Sequence, residues 1–370
     1  MPDFSNSTND NMKKFDSISH FIQGGDFQYR VFDMGRKVTA IDNKVFDKLE
    51  NQKLTYPFPF QQKAWLALLL WEEGKQHESV IWFLQFPIDE LGFIKQQSRD
   101  AFLIELLEQA GKNIQAKQQG RKVLDELNES PFAFKPTPTL LAIFHAFATR
   151  ELDQSASKYY QHAHDYLTGA TGFEQWQFLG LQGIADVIGR LDQNNNESLL
   201  IKAMDFMPVE PLQNFCQMLE NTSVSDTLFN KLTQRLRREI KAKTPNVLLI
   251  AALLRGISGG IAFKSDSKSD LKLKVFLEVL DSPLGTNIEI LAAISGRSWE
   301  SLKETHLLEI FLEKLAQHEM QSFNAILVDL LMIPGMREPI FSVMRNPERS
   351  IELGQKLGEF MKVIKTQGKA

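Results

Sequence analysis

Cysteine is almost absent from this 370-residue chain, which excludes folds that depend on internal disulfides. Cys216 is the only one, so no internal disulfide can form. Its neighbours in PLQNFCQMLEN have helical spacing, which is typical of a small buried hydrophobe rather than of a reactive thiol.

Long hydrophobic runs are also absent. AWLALLLW at 64–71 is far shorter than the roughly 20 residues that a membrane-spanning helix needs. The N-terminal segment MPDFSNSTNDNMKKF is polar and lacks the apolar core of a secretory signal. We therefore expect a cytoplasmic protein that does not insert into a membrane.

A strong excess of either charge is missing too. The formal net charge is −4, so contact with nucleic acid or with an anionic membrane would need a local basic patch. Hydrophobic residues make up 43% of the chain and charged residues 24%, which are the proportions of a folded domain. Because one hydrophobic core seldom serves this length, we expect two structural units.

The first predicted unit, at 13–112, is a small α+β domain. FQYRVFDM (27–34) and GRKVTAI (35–41) are rich in β-branched and aromatic residues and predict two strands. Asp42 follows them and is a suitable N-cap for the helix that begins in NKVFDKLENQ.

Two apolar runs in the same unit predict a β-hairpin. KAWLALLLW (63–71) and SVIWFLQF (79–86) are separated by the polar loop EEGKQHE. Because 79–86 is apolar at almost every position, we expect it to be a central strand. QQSRDAFLIELLEQAGK then predicts a helix that ends at Gly111, which completes a mainly antiparallel sheet with helices before, within and after it.

The second predicted unit is all-α. After a helix and linker at 113–135, prolines at 136, 208, 245 and 283, with Gly172 midway between the first two, mark units of about 37 residues, each with two helices. The same sequence pattern occurs twice, in TPNVLLIAALLRGISGG (244–260) and in SPLGTNIEILAAISGRS (282–298). In both, Thr or Ser is predicted as the helix cap and Pro lies in the first turn. We therefore expect 136–370 to be a HEAT-like helical solenoid.

One segment of this array is strongly basic. KLTQRLRREIKAK (231–243) predicts a helix with cationic side chains on two neighbouring faces. These side chains could bind an acidic surface of a partner protein, whereas the lack of interleaved aromatic residues argues against nucleic acid. The alternative is an ordinary solvated helix face. The candidate partner-binding residues are Lys231, Arg235, Arg237, Arg238 and Lys241.

A second candidate site is a possible metal centre. His145, the adjacent pair His164 and Asp165, and Asp186 follow the order of metal ligands in HD-type phosphohydrolases, which are all-helical. The pair lies in YYQHAHDYLTG and lacks the usual Gly-Lys sequel, so ordinary surface or core histidines are the competing interpretation. GISGG (256–260) matches G-x-S-x-G, but a helix rather than a strand is predicted before Ser258, which argues against a nucleophile elbow.

Several stretches resemble an uncharacterised gammaproteobacterial family, domain of unknown function three-five-four-nine. The likeness runs from about residue 16 to beyond 210 and implies a bacterial cytoplasmic setting, but it transfers no site to any residue. The stretches that carry it are QYRVFDMGRKV, YPFPFQQKAWLALLLW, IWFLQFPIDELG, FKPT, KYYQHAHDYLTG and QWQFLGLQGIAD.

These observations favour a non-enzymatic adaptor that binds another protein through its helical array and needs no cofactor. One alternative is the HD-type metal-dependent phosphohydrolase. Another is a ligand-responsive regulator with a pocket in the N-terminal domain. Neither the identity of the partner nor the oligomeric state follows from the sequence.

Overall fold

A computed structural model of the protein describes residues 15–25, 27–115, 129–259 and 266–367. The chain divides into two compact units, and the division falls after Leu140. The limits expected from the sequence, 13–112 and 136–370 with a linker between them, stay predictions.

The first unit contains a four-stranded antiparallel sheet, as the sequence predicts. The strands are β1 (Phe27–Asp33), β2 (Thr39–Ile41), β3 (Lys63–Glu72) and β4 (Val80–Pro87). They lie in the order β2-β1-β3-β4, and the apolar run of β3 pairs with β1 on one side and with β4 on the other. β3 and β4 form the predicted hairpin.

The prediction that 79–86 is a central strand is wrong. β4 stands at the end of the strand order, but its outer edge is covered by a later part of the chain. The Gln85 N–H donates to the carbonyl of Phe132 at 2.7 Å, and the Phe134 N–H donates to the carbonyl of Phe83 at 3.0 Å. Aromatic side chains from this segment also pack on the strand, which explains why an edge strand is so apolar.

Helices flank this sheet as expected. They are α1 (Ile18–Gly24), α2 (Asn43–Glu50) and α3 (Gln96–Gln115). Asp42 caps α2, because its Oδ1 accepts from the Lys44 N–H at 2.9 Å. Gly111 does not end α3, since one glycine in a helix interior costs only about 1 kcal/mol.

The helices of the second unit pack in two rows that follow the order of the chain. Its helices, with α4 leading into the unit, are α4 (Pro138–Glu151), α5 (Tyr160–Thr168), α6 (Leu181–Ile188), α7 (Asn196–Ala203), α8 (Val209–Leu219), α9 (Asp226–Ile240), α10 (Val247–Ser258), α11 (Asp266–Asp281), α12 (Ile288–Arg297), α13 (Thr305–Ala316), α14 (Met320–Met332), α15 (Arg337–Arg345) and α16 (Ile351–Gln367). In the first row α6, α8, α10, α12, α14 and α16 pack in succession, and in the second row α5, α7 and α9, and then α11, α13 and α15, do the same.

The two stretches that share a sequence pattern form α10 and α12, which are neighbours in the first row. Their caps are not the predicted Thr and Ser. Asn246 Oδ1 accepts from the Leu249 N–H at 3.0 Å, and Asn287 Oδ1 accepts from the Glu289 N–H at 3.0 Å. Asparagine is among the strongest N-caps, so each helix begins after the asparagine rather than at the earlier proline.

The interval between first-row helices is not constant. The described helices of this row begin at Leu181, Val209, Val247, Ile288, Met320 and Ile351. Repeats of a fixed length of about 37 residues are therefore not seen, because the connecting turns differ in length.

Two further expectations concern burial and membranes. Cys216 is completely buried in α8, and burial raises the pKa of its thiol to about 12, which agrees with a structural role. Within the described ranges, every helix is too short or too polar to cross a bilayer.

Candidate functional site

The second unit contains a polar cavity of about 540 Å³. One wall is the segment 150–161, which joins the end of α4 to α5, and the other is the turn 190–194 between α6 and α7. Almost every lining side chain can form hydrogen bonds, with Ala156 as the exception. Its bases are Arg150, Lys158 and Arg190, and its amides are Gln154, Gln161, Gln193 and Asn194.

A buried ion pair fixes the first wall. Asp186 and Arg190 are 1% and 5% exposed, and Arg190 Nη1 lies 3.7 Å from Asp186 Oδ1. The Ser157 N–H donates to Asp186 Oδ2 at 3.0 Å, and Arg190 Nη2 donates to the Gln154 carbonyl at 3.2 Å. Asp186 on α6 and Arg190 just after this helix thus both hold the backbone of residues 154–157. Removing either side chain would leave the other as an unpaired buried charge.

A tyrosine holds the second wall. The Asn194 amide donates to the Tyr160 hydroxyl at 2.9 Å, and the fully buried Asn196 donates to the Arg190 carbonyl at 2.8 Å. Asn194 and Asn195 have φ values of +48° and +57°. Asparagine tolerates this left-handed region better than most residues do, which suits two successive asparagines to this turn.

Arg150 closes the rim of the cavity. Its two terminal nitrogens donate to the carboxylate of Asp192 at 2.9 and 2.6 Å, and Nη1 also donates to the Gly189 carbonyl at 2.8 Å. The Arg150 guanidinium lowers the pKa of Asp192. The end of α4 and the turn after α6 are therefore joined, and the rim has a defined shape before anything binds.

Three of the four candidate metal ligands contact the walls of this cavity, namely His164, Asp165 and Asp186, but the four do not form a metal site within the described residues. His164 Nε2 lies 3.3 Å from the Asn194 carbonyl, and Asp165 accepts from the Gln161 amide at 2.8 Å. Asp186 is bonded to the first wall, and burial lowers the pKa of His145 despite the opposing charge of Asp186. Among the residues that the structure describes, no three His, Cys, Asp or Glu side chains are close enough to hold a metal ion.

The predicted basic face is largely neutralised within the chain. Lys231 is 2.5 Å from Asp205, and Arg235 is 2.7 Å from Glu239 on the same helix. Arg237 binds both carboxylate oxygens of Glu278 on α11 at 2.7 Å, and this pair joins α9 to α11. Acidic neighbours thus reduce the positive field of the row.

The remaining two bases of that row are more accessible. The Arg238 side chain is 58% exposed and lies 4.0 Å from Asp205, and Lys241 is exposed at the end of α9. These two residues are the part of the predicted surface with charge left for a partner.

Sequence reasoning missed the cavity itself. The signal was present in two polar segments, QSASKYY (154–160) and DQNNNE (192–197), which follow α4 and α6. Each segment alone reads as an ordinary loop. The structure shows that they face each other across one cavity.

The comparisons with known proteins point to one family. The model of the family described as "Protein of unknown function (DUF3549)" matches residues 13–361, which is nearly the whole chain. No curated protein and no solved structure matches. The resemblance seen in the sequence is thereby confirmed, and the chain belongs to the DUF3549 family.

Proposed function

We propose that this protein is a non-enzymatic adaptor whose helical array binds an extended segment of a partner protein. The observation that supports the proposal is the polar cavity between 150–161 and 190–194. Its walls are held by hydrogen bonds to the buried side chains of Asp186 and Asn196, so a bound segment would meet a surface that is already ordered.

The chemistry of the lining suits a peptide backbone. An extended chain presents N–H donors and C=O acceptors in alternation, and an amide side chain can supply both complements. Gln161 and Gln193 are exposed within the cavity and could pair with such a backbone. An apolar lining, as most small-molecule pockets have, is missing here.

The arrangement of helices supports an array with an extended binding surface. Successive packing in two rows is the pattern of a HEAT-like solenoid, in which each helix pair contacts mainly its neighbours. We include this architecture in the proposal. The cytoplasmic setting and the gammaproteobacterial origin stay predictions.

The phosphohydrolase alternative rests on the order of its candidate ligands in the sequence, and the contacts of Asp186 favour a structural role instead. Asp186 accepts from Ser157 and Gln182 and lies beside Arg190, so its carboxylate already has structural partners. The proposed adaptor uses the same carboxylate to hold the cavity wall.

Selection of linear peptides on the intact protein tests the proposal. A library of random peptides displayed on phage is selected on the wild type, and the affinity of enriched peptides is then measured by fluorescence anisotropy. Gln193→Trp fills the cavity from an exposed position and should weaken binding at least about tenfold through steric exclusion. Gln355→Trp is the matched control, because Gln355 is an exposed glutamine on α16.

The two variants separate the outcomes. Peptides that lose affinity for Gln193→Trp and keep it for Gln355→Trp support the proposed site. Peptides that bind all three proteins equally, or a selection that enriches none, would overturn it.

A further inference from the structure

The first unit has a cavity of its own, of about 680 Å³. It is lined by side chains of α1, by Tyr29 of β1, and by one side of α2 with Asn51 and Lys53 beyond it. Almost all of the lining is polar or charged, so an apolar ligand would gain little there.

Two buried polar atoms of this lining have no hydrogen-bond partner among the described residues. Tyr29 is only 5% exposed, and neither its hydroxyl nor Asn43 Oδ1 makes a hydrogen bond of acceptable geometry with the described residues. Burial raises the pKa of Tyr29, and the exposed Gln23 side chain beside the hydroxyl partly offsets this effect. Because buried polar groups are nearly always paired, these two atoms suggest a missing partner with both a donor and an acceptor.

The basic and the acidic side chains around the cavity differ in whether they already have partners. Lys44, Lys48 and Lys53 line it, are exposed, and have no ion pair within the described part of the chain. Lys44 and Lys48 are one helical turn apart, where like charges repel. The two acidic residues of the lining already have partners, since Asp16 lies 3.0 Å from His20 and Asp47 accepts from Asn51 at 3.1 Å.

A buried carboxylate of α2 fixes the position of α1 beside this cavity. Glu50 is 1% exposed, and its carboxylate accepts from the backbone N–H groups of Ile18 and Ser19 at 2.8 and 3.0 Å. Ser19 Oγ lies within 3.4 Å of Asp47 Oδ1. These bonds fix α1 against α2, so the cavity that the lysines and Tyr29 line is ordered before a ligand binds.

We infer that this cavity binds a phosphorylated small molecule that also carries hydroxyl groups, such as a sugar phosphate or a nucleotide. The lysines would neutralise the phosphate. The Tyr29 hydroxyl would donate to an oxygen of the ligand and Asn43 Oδ1 would accept from a ligand hydroxyl, while Gln23 moves aside. The protein would then respond to a metabolite through its first unit, which the adaptor function does not require.

Isothermal titration calorimetry on the full chain tests this inference. The probes are glucose 6-phosphate and adenosine monophosphate, each beside its unphosphorylated parent, and inorganic phosphate. We expect one of the phosphorylated probes to bind at least about tenfold more tightly than its parent.

Three variants locate the site. Lys44→Gln/Lys48→Gln should weaken binding at least about tenfold, because it removes two charges and leaves the exposed positions polar. Tyr29→Phe removes only the hydroxyl and should weaken binding about three- to tenfold. Lys202→Gln/Lys243→Gln removes two exposed lysines of the second unit and should leave binding unchanged.

Each result decides the inference. If none of the probes binds, or if Lys44→Gln/Lys48→Gln binds as the wild type does, the inference is wrong. If inorganic phosphate binds as tightly as the larger probes and Tyr29→Phe has no effect, the cavity holds an adventitious ion only. Circular dichroism verifies folding, and should Tyr29→Phe fail to fold, the exposed lysine pair still decides.

Discussion

At the scale of single residues, Asp33 at the end of β1 is a buried carboxyl group with an unusual environment. It is 1% exposed, and its carboxylate accepts from the Tyr56 hydroxyl at 2.5 Å and from the Arg36 N–H at 3.3 Å. Burial raises the pKa of Asp33 to about 7, although these hydrogen bonds oppose the shift. Local sequence gives no hint of this, because Tyr56 lies 23 residues away.

This environment predicts how stability depends on pH. The folded protein holds the Asp33 proton more tightly than the unfolded chain, whose value is near 3.8. The stability contributed by Asp33 is therefore fully present below about pH 4 and is lost as pH rises to about 7, at about 1.4 kcal/mol per pKa unit. Asp33→Asn cannot ionise and keeps an acceptor for Tyr56.

Urea unfolding between these pH values checks the prediction. The free energy of unfolding of the wild type relative to Asp33→Asn should fall with rising pH. Asp192→Asn is the control, because Arg150 lowers the pKa of Asp192 from its ordinary value of 3.8. Its contribution to stability is lost only as pH falls below that value, so the difference between the wild type and Asp192→Asn should change little between about pH 4 and 7. A wild type that runs parallel to Asp33→Asn at every pH would show that Asp33 does not change its charge on folding.

At the scale of elements, acid–arginine pairs connect successive helices of the array, and burial separates them into two kinds. Arg255 of α10 binds Glu220, at the end of α8, at 2.5 and 2.8 Å, and Arg297 of α12 lies 3.0 Å from the same carboxylate. The Glu220 side chain is 6% exposed, whereas Glu278, which pairs with Arg237, is 48% exposed.

Removal of these two carboxylates should therefore have unequal effects. Glu220→Gln leaves two partly buried guanidinium groups without a counter-charge and should lower the free energy of unfolding by about 2–4 kcal/mol. Glu278→Gln, the matched control, should lower it by about 1 kcal/mol or less, since the exposed pair is screened by water. Urea unfolding of both variants measures the contrast, and equal losses would mean that burial does not govern these pairs.

At the scale of the whole molecule, the two-row packing of the second unit predicts how a local defect spreads. Leu291 is fully buried in α12, and Leu291→Ala should cost about 2–5 kcal/mol. In the proposed solenoid each helix would depend on its neighbours, so hydrogen exchange should accelerate in α10, α12 and α14 and stay unchanged in α6.

Hydrogen exchange followed by mass spectrometry reads out each helix separately. Lys202→Gln, an exposed substitution on α7, serves as the control and should change no helix. Equal acceleration across the whole second unit would indicate one cooperative core instead of a chain of neighbouring pairs.

Much of the fold could be predicted because its determinants are local. Alternating turn and β-prone segments located β1, β2 and the hairpin, and the Asp42 cap marked the start of α2. Apolar spacing along 136–370 indicated helices, whose periodicity is visible within a few turns. The edge position of β4 was missed, because the segment that covers it lies almost 50 residues later, as in the Gln85–Ala133 contact at a separation of 48.

The candidate sites depend on contacts that no local pattern contains. The sequence by itself determined which side chains were available: the polar loops after α4 and α6, the lysines of α2 and the acids near them. Only the tertiary structure decided their roles. It joined Arg150 to Asp192 across 42 residues and Ser157 to Asp186 across 29. Burial makes Asp186, a candidate metal ligand in the alternative interpretation of the sequence, the anchor of a cavity wall, because a buried carboxylate is stable only where donors surround it.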